Sequence, residues 1–256
     1  MGRDTWFYKV DKYKAKKHLV PFLEESSFNG ITFRAFLEER NELNEQYNQT
    51  VTSFDDILNC IDSDFNQIKA SALNEVIRYL KNFNYAKNDG KNKFDVLTNF
   101  GIEEFFYARN GYGIMWQISN YTDEFDIELQ YEDDDGIRIE VDNFISIANY
   151  LMLLGELMDV DSLEENEQPE FHKEVFTDLE TIKKYFRENK RLWDFLTKEF
   201  EDIKYEYLNE LEFGSTYKAH PYVDLYYKGY EILHSFFYVK KSLANKNTHI
   251  IIVDSI

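Results

Sequence analysis

Cysteine, proline and glycine are scarce in this 256-residue chain, which has one cysteine, three prolines and ten glycines. The lone Cys60 excludes an intrachain disulfide and is typical of a reducing compartment. So few prolines and glycines favour long helices over tight turns. The chain has no run of about 18 apolar residues and no signal-peptide core at its N-terminus. We therefore expect a cytoplasmic protein without a membrane span.

Motifs for catalysis and cofactor binding are also missing. The chain has no Gly-x-Ser-x-Gly, no Walker lysine loop and no dinucleotide-binding glycine cluster. Its histidines are His18, His172, His220, His234 and His249, and no two of them are four residues apart, the spacing that presents two imidazoles to one metal. We predict no catalytic residue, no cofactor and no metal site, and we expect that the protein is not an enzyme.

Two acidic stretches invite comparison with calcium loops, and both fail it. If Gly136 takes the glycine position, Tyr131 stands where the first carboxylate is needed and Asp142 replaces the bidentate Glu. The second stretch starts at Asp62 and has Gln67 at the glycine position. A solvated turn is the favoured interpretation of both.

Aromatic residues, in contrast, are abundant, with 22 Phe and 19 Tyr in a chain that is 43% hydrophobic. This content is too high for a disordered protein and predicts a core built from rings. Cys60 follows Ile57 and Leu58 on an apolar helix face, which favours a buried, inert thiol.

Apolar periodicity predicts a fold of the α+β class, predominantly helical, with an aromatic-rich core and a small antiparallel sheet in the middle of the chain. Helices are predicted near residues 21–26, 32–46, 53–61, 64–83, 143–158, 174–188, 190–211 and 221–244. Strands are predicted at 5–10, 113–119, 125–131, 137–141 and 249–254, with turns at 28–32 and 133–136. We expect a single domain over 1–256, whose sub-regions are 1–100 (helical with an N-terminal strand), 101–142 (antiparallel strands) and 143–256 (long helices with a C-terminal strand).

The most informative feature is an acidic stretch from residue 120 to 170, with 17 acidic side chains and one basic, Arg138. It holds most of the chain's net charge of −19, and charge concentrated in this way indicates a surface of one sign. Tyr121, Phe125 and Tyr131 are candidate anchors beside it. The predicted partner-binding residues are Asp126, Glu128, Glu132, Asp133, Asp134, Asp135, Asp159, Asp161, Glu164 and Glu165. The competing interpretation is a surface that only confers solubility.

The leading functional hypothesis is a non-enzymatic cytosolic binding protein whose acidic surface docks a basic protein partner. An inhibitor, an immunity protein or a phage anti-defence protein would fit, including one that mimics nucleic acid. Abundant Asn (21) beside few Ala (9) is typical of AT-rich bacterial or phage genes. The sequence leaves the oligomeric state open.

Two alternatives remain. A nucleic-acid-associated protein would use two basic islands, Lys9–Lys17 and Arg78–Lys93, against the long-range repulsion of the net charge. An enzyme would use His220 or His234 as a general base. Its pocket would be lined by the C-terminal tyrosines Tyr222, Tyr226, Tyr227 and Tyr230.

Overall fold

The structure is a computed structural model, and it describes residues 4–46, 51–63, 65–87, 96–108, 112–131, 136–158, 169–212, 229–243 and 248–255. Within these residues the fold is mostly helical, with a five-stranded antiparallel sheet and a two-stranded hairpin. Aromatic rings meet edge to face in the interior, as in the contacts among Phe7, Phe106 and Phe236. The predicted α+β class with an aromatic-rich core is confirmed.

The main sheet joins strands from both ends and the middle of the chain. Its strands are β1 (Asp4–Asp11), β4 (Ile102–Ala108), β5 (Gln130–Tyr131), β6 (Gly136–Ile139) and β7 (Thr248–Ser255). The order is β4-β1-β7-β6-β5, and every neighbouring pair is antiparallel. The first and last strands therefore lie side by side, so the sheet is not confined to the middle of the chain as predicted.

Helices and a small hairpin surround this sheet. The helices are α1 (Lys12–Lys14), α2 (Val20–Glu25), α3 (Phe33–Gln46), α4 (Phe54–Ser63), α5 (Ala70–Lys87), α6 (Val96–Asn99), α7 (Tyr112–Glu124), α8 (Val141–Met158), α9 (Pro169–Glu188), α10 (Lys190–Glu212) and α11 (Gly229–Ser242). The hairpin pairs β2 (Ser27–Phe28) with β3 (Ile31–Thr32). In the described ranges, no helix combines the length and apolar composition needed to cross a membrane.

The sheet separates two hydrophobic clusters. Phe7 and its β7 neighbour Ile252 belong to the first cluster, which contains residues of α7 to α11. The next pair, Tyr8 and Ile251, belongs to the second cluster, which contains residues of α2 to α6. Because β7 is buried on both faces, its residues 250–253 form a continuous apolar run rather than an alternating one.

Several predicted elements are confirmed. The strands at both ends of the chain are present, and so are the helices predicted near 32–46, 143–158, 174–188 and 190–211. Ser53 caps α4, since its Oγ accepts a 3.4 Å hydrogen bond from the backbone N of Asp56. Asn29 and Gly30 have φ angles of 49° and 81°, and this pair makes the tight turn between β2 and β3.

The predicted strand at 113–119 is wrong. These residues lie in α7, whose Ile114, Ile118 and Tyr121 are buried in the first cluster. Apolar positions at spacings of three and four therefore outweigh the short alternation that suggested a strand. Strand β4 was not predicted, because its residues lack a regular alternation of apolar and polar side chains.

The predicted strand at 125–131 is mostly wrong, because only Gln130–Tyr131 is a strand. Asp126 has a φ of 54°, in the left-handed region, and this interrupts the extended backbone directly after α7. The predicted helix from 221 is described only from Gly229, and residues 133–135 of the predicted turn lie outside the described residues.

Candidate functional site: an acidic face

Two of the ten predicted partner-binding residues, Asp126 and Glu128, are described, and both are exposed. The other eight lie outside the described residues: Glu132, Asp133, Asp134, Asp135, Asp159, Asp161, Glu164 and Glu165. The side chains here nevertheless alternate between half-buried and exposed, as they would in the predicted strand. Phe125, Ile127 and Leu129 are half-buried against the first cluster, so the two carboxylates between them are directed to solvent.

A sharp end to α7 presents these carboxylates. The backbone N of Ile127 donates a 2.9 Å hydrogen bond to the carbonyl oxygen of Thr122, across the left-handed residue Asp126. This six-residue closure is the usual way in which a left-handed residue ends a helix. Asp126 therefore has a fixed backbone position and does not lie on a loose tail.

A second acidic segment is tied to the first. The side chain of Asn143, in the first turn of α8, donates a 2.9 Å hydrogen bond from Nδ2 to the main-chain oxygen of Glu128. Glu140 and Asp142, which flank the start of α8, are exposed. The two segments therefore share one surface, which we call the acidic face: Asp123, Asp126, Glu128, Glu140 and Asp142.

The carboxylates of the acidic face differ from other acids of the stretch in their ion pairing. In the part of the chain that the structure describes, none of the five makes an ion pair. Other acids of the acidic stretch do make them: Glu124 pairs with Arg191 at 2.8 Å, and Glu156 pairs with Lys183. Cations from α9 and α10 thus neutralise other acids of the stretch, while no cation in the described ranges pairs with the five carboxylates.

The single basic residue of the acidic stretch is buried. Arg138 lies in β6, opposite Ile251 of the second cluster, and is only 6% exposed. Burial, with a further contribution from the positive charges of Lys12 and Arg138, lowers the pKa of His249 to about 4. The exposed part of the stretch is therefore more purely negative than the sequence count suggests.

The predicted aromatic anchors are only partly available. Tyr121 is 2% exposed and stacks on Tyr150, with ring centroids 4.3 Å apart, so its prediction as an anchor is wrong. Phe125 is half-buried, with its ring 5.5 Å from Phe195 and beneath the guanidinium of Arg191. The side chain of Tyr131 lies outside the described residues. The acidic face is thus polar, with a partly covered ring at its border.

The sequence missed Asp123, Glu140 and Asp142 as members of this face. They were counted in the acidic stretch, but their neighbourhood depends on the end of α7 and on the bond from Asn143. No local pattern announces such a bond. The only available signal was their position within the 120–170 charge total.

The sequence also missed three buried polar side chains that lie among the helices: Gln117, Tyr150 and Glu199. The Tyr150 hydroxyl donates a 2.9 Å hydrogen bond to Oε1 of Gln117, and Glu199 lies in the same interior, 6% exposed. Burial raises the pKa of Glu199, and Asp202 raises it further, against opposing effects of Lys198, Gln117 and Asn120. Within the described residues, Gln117 Nε2 and Glu199 Oε2 have no partner in hydrogen-bond geometry.

The histidine and cysteine candidates that the structure describes, His234 and Cys60, lie in different helices, α11 and α4. His234 is half-buried, with its ring 4.9 Å from that of Tyr238. His220 and the tyrosines 222, 226 and 227 lie outside the described residues, as does the side chain of Tyr230. Cys60 is half-buried and not buried as predicted. Among the described residues, no three His, Cys, Asp or Glu side chains are placed to hold a metal.

Four cations of the two basic islands are paired with carboxylates. In the first island, Lys9 lies 2.7 Å from Glu103, and Lys16 pairs with Asp62 at 3.4 Å. In the second island, Arg78 pairs with Glu75 and Lys81 pairs with Glu104. The side chains of Lys87, Lys91 and Lys93 lie outside the described residues. These pairs reduce the positive field that a phosphate backbone would meet.

Comparison with protein-family models, curated proteins and solved structures finds no match to this chain.

Proposed function

We propose that this chain is a non-enzymatic cytosolic binding protein whose acidic face docks a basic protein partner. The observation that carries the proposal is the contrast between the two signs of charge in the acidic stretch. Five exposed carboxylates have no ion pair among the described residues, while Arg138 is buried. Stability alone gives no reason to gather like charges in this way, because neighbouring like charges repel.

The acidic face has the physical properties that electrostatic docking requires. Complementary fields raise association rates and select against partners of the wrong sign. The closure of α7 over Asp126 and the bond from Asn143 hold the two segments in place, so little ordering is needed on binding. We expect binding that weakens steeply with salt, because exposed charges are screened over about 8 Å at physiological ionic strength.

Carboxylates held on a rigid scaffold also suggest what the partner's surface does. A basic surface that normally binds phosphates attracts carboxylates through the same lysines and arginines. An inhibitor, an immunity protein or a phage anti-defence protein that mimics nucleic acid would act in this way. Direct nucleic-acid binding is the weaker proposal, because Lys9, Lys16, Arg78 and Lys81 are paired with carboxylates.

The test compares two variants of equal charge. The face variant carries Asp126→Asn, Glu128→Gln, Glu140→Gln and Asp142→Asn. The control variant carries Glu→Gln at four exposed positions of α3: Glu38, Glu39, Glu42 and Glu45. Each is titrated against a panel of purified small DNA-binding proteins, and dissociation constants are measured at about 50 and about 200 mM salt.

We expect the face variant to bind its best panel member about tenfold more weakly than the wild type, with a shallower salt dependence. The α3 variant should stay within about twofold of the wild type. Equal weakening in both variants would mean that only net charge matters, and it would contradict a specific role for the acidic face. Circular dichroism of both variants checks that the fold is unchanged.

A further inference from the structure

A pocket of about 280 Å³ lies away from the acidic face, between the start of α4 and the start of α5. Its floor is apolar, since Ile57, Ile68 and Ala72 line it and are almost completely buried. Its rim is polar and exposed, with Asp56 from α4 and Lys69 directly before α5. The pocket therefore combines an apolar base with charged groups of both signs.

The two rim charges are available to a ligand. In the described part of the chain, neither the Asp56 carboxylate nor the Lys69 ammonium makes an ion pair. The Ser53 cap engages the backbone N of Asp56 and not its carboxylate. The carbonyl oxygen of Lys69 accepts a 3.1 Å hydrogen bond from the backbone N of Leu73 in α5. This backbone bond does not involve the ammonium of the Lys69 side chain.

One wall of the pocket is held rigidly. The side chain of Asn41 in α3 bonds both backbone groups of Thr52: its Nδ2 donates to the Thr52 oxygen at 2.7 Å, and its Oδ1 accepts from the Thr52 nitrogen at 3.0 Å. Thr52 lines the pocket. A wall fixed in this way lowers the ordering that a ligand must impose, which is a property of preformed sites.

We propose that this pocket binds a small zwitterion with an apolar side chain, of which a free aliphatic amino acid is the simplest. The ligand's carboxylate would meet Lys69, its ammonium would meet Asp56, and its side chain would lie on Ile57, Ile68 and Ala72. The volume is just below the range of about 300–1,000 Å³ found for drug-sized ligands, so it suits a smaller molecule. This site is independent of the acidic face and of the function proposed for it.

The test uses free leucine and two analogues that each lack one charge. Leucinol lacks the carboxylate, and 4-methylpentanoate lacks the ammonium. Each compound is titrated calorimetrically into the full chain and into the variants Lys69→Gln, Asp56→Asn and Lys17→Gln. Lys17 is exposed and does not line the pocket, so its variant serves as the matched control for the loss of one positive charge.

We expect leucine to bind the wild type more tightly than either analogue. Lys69→Gln should weaken leucine about tenfold or more, the effect of losing one charge-assisted hydrogen bond, and leave leucinol unchanged. Asp56→Asn should weaken leucine and leave 4-methylpentanoate unchanged. Lys17→Gln should bind as the wild type does. Failure of leucine to bind the folded wild type, or equal binding by all variants, overturns the proposal.

The chain contains its own reporter of occupancy. Cys60 is the only cysteine, is half-buried and lines this pocket. Saturating leucine should slow the reaction of its thiol with a chromogenic disulfide, and the protection should be lost in Lys69→Gln. Protection that persists in Lys69→Gln and Asp56→Asn alike would contradict binding through the two rim charges.

Discussion

The side chain of Asn143 donates a 2.9 Å hydrogen bond to the main-chain oxygen of Glu128, and this bond helps to join the two acidic segments of the acidic face. Asn143 belongs to α8, whose buried residues such as Phe144 and Ile147 anchor it in the first cluster. Residues 125–129 have no regular secondary structure. A rigid helix thus positions an irregular segment, which lets exposed charges keep a defined arrangement.

Asn143→Ala should loosen residues 127–131 without unfolding the protein. We expect the global stability to change by less than about 1 kcal/mol, because the lost hydrogen bond is offset by the higher helix propensity of Ala. Amide hydrogen exchange should become faster in 127–131 and stay unchanged in α9 and α10. Glu140→Gln, which removes an exposed charge but not this bond, should leave the exchange pattern as in the wild type.

The left-handed backbone of Asp126 predicts an unusual order of stability among variants at this position. Asp126→Gly should raise the free energy of unfolding by about 0.5–1 kcal/mol, because glycine adopts a φ of 54° without strain. Asp126→Asn should be close to the wild type, and Asp126→Ala should lower stability by about 1 kcal/mol. Urea unfolding measures all three. Since each variant removes the same charge, equal stabilities would show that the backbone conformation is not the cause.

Glu199 predicts a dependence of stability on pH. Its pKa is raised in the folded state, chiefly by burial, so the folded protein retains a proton that the unfolded chain releases above pH 4.5. Between pH 4.5 and the raised pKa, the folded state binds more protons, and this group's contribution makes the unfolding free energy fall as pH rises. Above the raised pKa, the carboxylate is charged in the folded and the unfolded state, and its burial lowers the free energy of unfolding by the largest amount.

Glu199→Gln should therefore stabilise the protein at pH 7 by roughly 1 kcal/mol, the lower end of the range for burying an unpaired polar group. The gain should shrink as the pH is lowered towards 4.5, where the wild-type carboxyl is protonated in the folded state. Chemical denaturation at several pH values measures both effects. Glu201→Gln, at an exposed position two residues away, is the control and should show no such gain. A constant difference across the pH range would contradict the prediction.

Gly155 marks a close approach between α8 and α11. A Cβ atom at this position would lie 2.9 Å from the carbonyl oxygen of Gly229 and 3.2 Å from Cγ2 of Ile232. Gly155→Ala should therefore destabilise the protein, because forced repacking costs about 1–3 kcal/mol while the gain in helix propensity is about 1 kcal/mol. Asn59→Ala, at an exposed position inside α4, should be neutral or slightly stabilising. A stabilised Gly155→Ala variant would show that α8 and α11 are farther apart.

Much of the fold could be predicted from local sequence. Long helices such as α3, α8 and α10 carry apolar residues at helical spacing, and Asn29 with Gly30 marks a tight turn. The segments near 113–119 and 125–131 could not be assigned correctly, because a short alternation of apolar side chains fits several backbone conformations. β4 has no regular pattern at all and is a strand because β1 pairs with it.

The acidic face could likewise be predicted only in part from the sequence. The alternation from Phe125 to Leu129 correctly predicted that Asp126 and Glu128 are exposed, although it assigned the wrong backbone. The stacking of Tyr121 on Tyr150 and the pocket beside Asp56 and Lys69 join residues that are 29 and 13 positions apart. Contacts of this kind depend on how helices pack, and no local pattern encodes them.

The α+β class, the aromatic core and the concentration of negative charge between residues 120 and 170 can all be predicted from the amino-acid sequence alone. These follow from composition and periodicity, which act over short stretches of chain. The burial of Arg138 beside exposed carboxylates, and the bond by which Asn143 joins two acidic segments, are known only from the folded structure. The sequence does not show whether a charged side chain is buried or exposed, because burial depends on strand pairing and helix packing between residues that are distant along the chain.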